Sequence, residues 1–414
     1  MTFTTNALRT AAGLLLLHSL TVLANESQEG HFVKGVTYLP SLELYTGYND
    51  NLLYQSDEQD KKKTEFVYLV PQMGAAIEKK SRKHYLEYKA FLGQYFNSQS
   101  DDFVDHYVTA ENELRLSLRN AIELNGAYSY QHEARGQGTS SGNATLIDSP
   151  IKFHYFEAEL GYRYGAPGAK GQLAFSLEWN KKKYANYTDE RDSSIGLTTR
   201  LKDYDLWAAG VSFSSAWRQG VNATLSYEHE RKTYPFQREG SPSQDSFNHL
   251  VYAGLDWDIA QKTEGYLKLG VQDKNFLDSQ REDFTGFSWA TGIKWTPLRH
   301  STISFNSSQI AKDPDQDGDY LKQTIFSVGW QHYWITHLYS QLNVGYTIDK
   351  YTGAFDFNGV LRDENLLNTS VKLAYKFNRN VEFGVLYTYN DKSSSWNNYQ
   401  YNQNVYLISG KLEF

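Results

Sequence analysis

Residues Val405–Phe414 read VYLISGKLEF, and this stretch decides the fold. Tyr406, Ile408, Leu412 and Phe414 share one parity, with Gly410 among them, while Ser409, Lys411 and Glu413 take the other. A period of two makes a strand with one apolar and one polar face. Soluble domains usually trail off into a few loosely held polar residues. A chain that stops on the apolar face of a strand raises the question of what that face touches.

The same alternation recurs along the chain. In AENELRLSLRN, Leu114, Leu116 and Leu118 alternate with Glu113, Arg115, Ser117 and Arg119. In FHYFEAELGYRYG, Phe156, Ala158, Leu160, Tyr162 and Tyr164 alternate with Glu157, Glu159, Gly161 and Arg163. GQLAFSLEWN, LVYAGLDWDIA, SVKLAYKFN and NVEFGVLYTYN repeat the pattern. Many runs reach about 10–15 residues, longer than the usual strand of a soluble sheet. Connections alternate too. Short ones fall at 79–82, 119–121, 165–171, 217–220, 260–263, 296–301, 335–337 and 377–380. Longer polar segments fall near 48–64, 97–103, 132–150, 186–200, 233–246, 275–283, 310–319, 350–365 and 390–399. Eight short turns and nine long loops make eighteen strands, with sixteen if one hairpin is miscounted.

Composition agrees. The chain has 32 Tyr, 22 Phe and 9 Trp but no Cys, so it builds no disulfide framework. Mean hydropathy is −0.60 and no run after residue 24 is long and apolar enough for a helical span. A polar average with abundant amphipathic Tyr fits a transmembrane antiparallel up-and-down β-barrel without a plug domain, where only every second residue faces lipid. Lipid offers no partner for backbone N–H and C=O, so the first strand, about Val33–Tyr48, is expected to pair with the last. Met1–Ala24 carries Arg9, an apolar core over Ala11–Leu23 and a small-residue end at Ala24. That reads as a secretory signal peptide, leaving residues 25–414 as the barrel in a Gram-negative outer membrane. The net charge of −7 and the lack of a basic arm give no sign of nucleic-acid binding.

Several stretches resemble a β-barrel porin family that includes outer-membrane proteins of exopolysaccharide biosynthesis operons. They are TYLPSLELYTGYNDNLL (Thr37–Leu53), YGAPGAKGQLAFSLEWNKKKYAN (Tyr164–Asn186), AQKTEGYLKLGVQDKNF (Ala260–Phe276), FTGFSWATGIKWTPLRHST (Phe284–Thr302), GDYLKQTIFSVGWQHYWITHL (Gly318–Leu338) and YNQNVYLISGKLEF. Asp50-Asn51 and SWATGIKWTP are the most specific parts. The resemblance implies a barrel that helps to make or export extracellular, biofilm-forming polysaccharide, and it supplies no catalytic residues. Apart from this family, a terminal aromatic in an alternating strand, here Tyr406, Ile408, Leu412 and Phe414, looks like the signal read by the outer-membrane insertion machinery.

By parity the lumen is lined by Glu87, Lys89, Glu111, Glu113, Arg115, Glu157, Glu159, Arg163, Lys268, Lys372 and Lys376. Their signs are mixed, whereas a sharply ion-selective pore shows one dominant sign. Tyr85, Tyr95, Tyr107, Tyr266 and Tyr339 are also placed inward, where their faces would suit sugar rings; equally, any wide barrel wets its lumen with such residues. In DPDQDGDY, Asp313, Asp315, Asp317 and Asp319 open like a calcium loop, but Thr324 stands where the bidentate Glu belongs, and a solvated acidic turn is the plainer reading. No G-x-S-x-G occurs and the histidines are scattered, so neither catalysis nor a cofactor is expected. The expected role is a passive conduit or accessory for exopolysaccharide, served by a separate periplasmic export partner. The alternatives are a general diffusion porin and a non-transporting structural or adhesive barrel. The longest loops, near 48–64 and 132–150, are the candidates to fold inward.

Overall fold

The computed structural model describes residues 31–166, 168–189, 197–260, 262–316 and 318–414; the signal-peptide reading over 1–24 lies outside them. In chain order the strands are β1 (His31–Val33), β2 (Val36–Asn49), β3 (Thr64–Lys79), β4 (Arg82–Tyr95), β5 (Phe103–Arg115), β6 (Asn120–Glu133) and β7 (Ile151–Tyr164). Then come β8 (Gly171–Tyr184), β9 (Tyr204–Arg218), β10 (Val221–Thr233), β11 (Ser246–Ile259), β12 (Thr263–Phe276) and β13 (Phe284–Leu298). The rest are β14 (Ser301–Lys312), β15 (Tyr320–Ile335), β16 (Leu338–Phe355), β17 (Leu361–Lys376), β18 (Val381–Ser394) and β19 (Tyr401–Glu413).

Each strand from β2 to β19 pairs antiparallel with its sequence neighbours, and β19 pairs with β2 from Val405↔Asn49 to Glu413↔Ser41. The sheet therefore closes as an eighteen-stranded barrel. Short turns join one end and long loops the other, as the sequence predicts. Among the described residues no separate plug domain fills the barrel.

The first strand is shorter than expected. Lys34 (φ 50°) and Gly35 (φ 87°) form a tight hairpin turn, which detaches His31–Val33 as β1. β1 pairs with β2 beyond the end of β19, where the Phe414 N–H donates to the Pro40 carbonyl at 3.1 Å. Two other limits also differ. The β5–β6 turn is Leu116–Arg119, because Leu116 and Ser117 both donate backbone N–H groups to the Asn120 carbonyl; Leu118 sits at its tip, 87% exposed. The β16–β17 hairpin runs on to Phe355 and Leu361, leaving only 356–360 as loop; a register shift after Lys350, with Gly353 at positive φ, carries the pairing outward.

Parity sorts the side chains. Leu86, Tyr88, Leu160, Leu177, Leu225, Val251, Leu269, Val328, Val371, Val385 and Ile408 are exposed on the outer wall. Their neighbours in sequence point to the lumen. Aromatic side chains ring both ends of this wall: Trp217, Trp295, Trp334 and Phe414 on the turn side, and Trp207, Phe287 and Tyr406 on the loop side. An apolar band between two aromatic girdles matches a bilayer. His332 and Trp334, with ring centroids 4.5 Å apart, belong to the turn-side girdle, whereas Tyr333 takes the other parity and packs 5.1 Å from the Tyr339 ring.

The parity rule gives a direct test. Leu225→Lys, on the lipid face of β10, is expected to cost about 2–4 kcal/mol of folding stability in vesicles, as charge near a bilayer midplane does. Ser226→Lys, one residue on and facing the lumen, should leave urea unfolding in lipid nearly unchanged. Equal losses for the two would overturn the assignment of faces.

Candidate functional site

The lumen wall has two chemically different arcs. On β2–β12 and β17–β19 it carries charge held in local pairs. Arg163 reaches Glu123 at 3.3 Å and Glu113 at 3.7 Å, and Arg115 contacts Glu113 at 2.6 Å. Glu87 accepts hydrogen bonds from the Tyr85 hydroxyl and from Gln72 Nε2 (2.8 Å), and Lys89 Nζ lies 4.8 Å from the Tyr107 ring centre. Glu159 accepts from Asn125 Nδ2 at 3.3 Å. Across the closing strands Lys372 bonds Glu382 at 2.8 Å, Lys376 lies 5.7 Å from the Tyr333 ring centre, and Lys411 bonds Glu413 at 2.6 Å. Lys268 lies 5.7 Å from the Tyr266 ring centre. Glu111 is exposed within the lumen, and Glu157 is half-buried. The sequence-derived lining residues thus fall into a cluster on β4–β7, a pair on β17, and Lys268 apart on β12. Tyr95 is not a free lining residue, for it is 7% exposed in an apolar cluster at the mouth.

β13–β16 are different. Midway along them the lumen-facing positions are Ser288, Ala290 and Gly292, then Ser304, Asn306 and Ser308, then Ile325, Ser327, Gly329 and Gln331, then Gln341, Asn343, Gly345 and Thr347. No charge stands in this middle band; Lys294, bonded to Glu264 at 2.9 Å, lies on its turn side, and Asp349, which accepts from Gln323 Nε2 at 2.8 Å, on its loop side. The side chains are small, so this wall leaves space while presenting hydroxyl and amide groups.

The loop-side mouth is crossed by loops. Asn51 is fully buried: its Nδ2 donates to the Gln55 carbonyl (2.8 Å) and the Asn402 carbonyl (2.9 Å), and its Oδ1 accepts from Gln55 N–H (2.8 Å). Asp50 accepts from Asn404 N–H and Nδ2, both at 2.7 Å. Asp50-Asn51 therefore pins the first loop to β19 beside the closure seam. Leu52 and Leu53 then pack with Phe66, Tyr95, Phe103, Ala144 and Val405 inside the barrel. The 134–150 loop folds onto them. A Cβ at Gly136 (φ 87°) would come 2.1 Å from the Leu53 carbonyl, so only glycine permits this approach. Both loops singled out by length do turn inward.

Gln316, between β14 and β15, joins segments from around the rim. Its Nε2 donates to the Thr139 carbonyl (3.0 Å) and the Ser141 carbonyl (2.9 Å). Its Oε1 accepts from the Tyr399 hydroxyl (2.6 Å) and Arg362 (3.2 Å), and its carbonyl accepts from Lys202 Nζ at 2.7 Å. Eight strands, β7–β14, stand between the β6–β7 and β14–β15 connections along the shorter arc, so these bonds cross the mouth. Sequence reasoning missed Gln316; it sits amid four aspartates that drew attention to cations, and nothing local marks it. The aspartates themselves are not gathered. Asp313 is held by Lys274 (2.7 Å), Lys232 (2.8 Å) and the Tyr234 hydroxyl (2.8 Å), and Asp319 bonds Arg281 at 3.1 Å. Asp317 lies outside the described residues.

Closed antiparallel strands, an apolar outer band and a polar lumen define an outer-membrane β-barrel of porin type. Residues 29–414 match the family model described as "Putative beta-barrel porin 2", and the chain belongs to that family, in the outer membrane of Gram-negative bacteria. Among solved structures it is similar to the siderophore receptor PirA from Acinetobacter baumannii (9% identity, 91% of this chain and 80% of that one, TM-score 0.47). It is also similar to Pseudomonas aeruginosa OpdQ (10% identity, 92% and 99%, TM-score 0.46) and Pseudomonas aeruginosa OccK3 (OpdO) (12% identity, 91% and 96%, TM-score 0.44). No curated protein sequence matches the chain.

The Asp313 lock predicts a pH response. Burial alone would raise the Asp313 pKa, but Lys232 and Lys274 hold it well below the usual carboxylate range. Its contribution is therefore present above the unfolded-state pKa of about 3.9 and is lost only as pH falls through the lower folded value. Conductance of the reconstituted barrel should accordingly show no opening between neutral pH and about pH 4. Asp313→Asn leaves two buried lysines uncompensated, at a cost of about 3–5 kcal/mol. Larger or noisier single-channel currents at neutral pH are the expected result; wild-type currents from the variant would sink the lock.

Proposed function

We propose that the barrel is a passive, loop-gated conduit for hydroxyl-rich polymer, exopolysaccharide or its fragments. The observation that carries this reading is the uncharged, Ser/Asn/Gln-rich middle band of β13–β16, facing an arc of carboxylates and Tyr rings. Amides and hydroxyls exchange hydrogen bonds with sugar hydroxyls, and aromatic faces stack on sugar rings. Nothing in such a path needs to break a bond, so the reading includes no catalysis. A signal peptide ending near Ala24, recognition of the terminal Tyr406–Phe414 face by the insertion machinery, and a separate periplasmic partner that delivers polymer complete the proposal. A general diffusion porin is the second reading, favoured by the locally paired charges of mixed sign. A structural or adhesive barrel is the third, favoured by the loops that cross the mouth.

Planar-bilayer recording separates the three. With the Gln316 contacts weakened by Gln316→Ala, the conduit should pass current that a neutral polysaccharide blocks reversibly. Current indifferent to polysaccharide would favour the general porin. No current, even from the variant, would leave the structural barrel.

A further inference from the structure

We propose that the loop-side rim of β7–β10 binds a phosphorylated glycolipid of the outer leaflet. The sequence NKKKY supplies its centre. Lys182 turns inward to Glu133 (2.7 Å), which sends Lys181 and Lys183 out onto the lipid face. On the same face and within three residues of the loop-side strand ends stand Lys152 on β7 and Arg231 on β10. Among the described residues two carboxylates stand by these four cations: Asp205, which bonds Lys181 at 3.0 Å, and Asp203, which interacts electrostatically with Lys183 and Lys181. Elsewhere on the rim the outward charges are mixed, with Asp273, Asp363 and Asp391 among Lys322 and Lys350.

In the register Lys183 stands directly across from His154, and Arg231 directly across from Trp207, so neither pair supplies a carboxylate. Cations left in excess on a lipid-facing rim attract an anion of the leaflet. Facing a bilayer, that anion must sit at headgroup depth, above acyl chains. The wall below supplies the apolar contact, with Trp207 and Leu177 exposed.

A groove of about 690 Å³ on the outer wall strengthens the assignment. Leu44, Leu69, Leu92 and Val104 line its apolar length, and Asp102, His106, Tyr130 and Lys152 stand toward its loop-side end. Apolar below and polar above, with Lys152 beside the groove, is the order in which a phosphorylated glycolipid presents its acyl chains and headgroup. The occupant we assign is therefore a phosphorylated lipid A-type molecule, with phosphate on Lys152, Lys183 and Arg231 and one chain in the groove.

The test uses the full barrel in nanodiscs, with retained lipid counted by native mass spectrometry. The probes are a bis-phosphorylated glucosamine-disaccharide lipid, its dephosphorylated form, and phosphatidylglycerol. Wild type should retain the phosphorylated glycolipid in preference to the other two. K152Q/K183Q/R231Q should lose roughly fivefold in affinity per cation, about a hundredfold in all. Heat-modifiable gel mobility confirms that the variant is folded, and the dephosphorylated probe tests the site without any variant. Equal retention of the dephosphorylated lipid, equal retention of phosphatidylglycerol, or a folded variant that binds like wild type would each overturn the proposal.

Discussion

A backbone amide in hydrocarbon has no water to bond with, and the rest of this structure follows from that one constraint. An unpaired N–H or C=O at membrane depth costs several kcal/mol, so a spanning sheet has to close on itself. Closure here is the β19–β2 seam. Features that look unrelated serve it: the alternation that holds one face apolar, the short turns that set the register, and the β1 hairpin that covers the part of β2 left below Glu413. Asp50-Asn51 belongs to the same set, since it ties the first loop to β19 beside the seam.

Once the wall is closed, the interior is freed from the constraint and chemistry can vary from strand to strand. Neighbouring lumen charges satisfy one another along the wall, as Arg163 does between Glu113 and Glu123 and Lys372 does with Glu382. Such pairs stiffen a wide barrel without giving it a net sign, which leaves the uncharged middle band of β13–β16 as its distinguishing surface. At the mouth the balance reverses. Loops there bury real apolar clusters, such as Ile147, Ile151, Phe153, Tyr184 and Tyr187, and fix them with bonds made across the opening. The mouth is thus a small soluble core built inside a membrane wall.

Much of this was legible in the chain. Strand number, the order of short and long connections, the lipid-facing parity and the terminal aromatic all come from a period of two, which is local and survives any tertiary arrangement. Limits were less legible. Leu116 and Leu118 continue the alternation of β5 and read as strand, yet Asn120 draws the chain into a turn. The β16–β17 loop read as long because a bulge after Lys350 hides pairing that polar residues do not advertise.

By itself the sequence determined the barrel, because alternation tells each residue which side of a sheet it occupies. Only the tertiary structure decided what the sides contain. Gln316 meets Thr139 and Tyr399 from positions 177 and 83 residues away, and Asp313 meets Lys232 and Lys274 rather than the other aspartates of its own run. Those partners are set by which strands closure brings face to face across the lumen, and no local pattern encodes a distance across a circle.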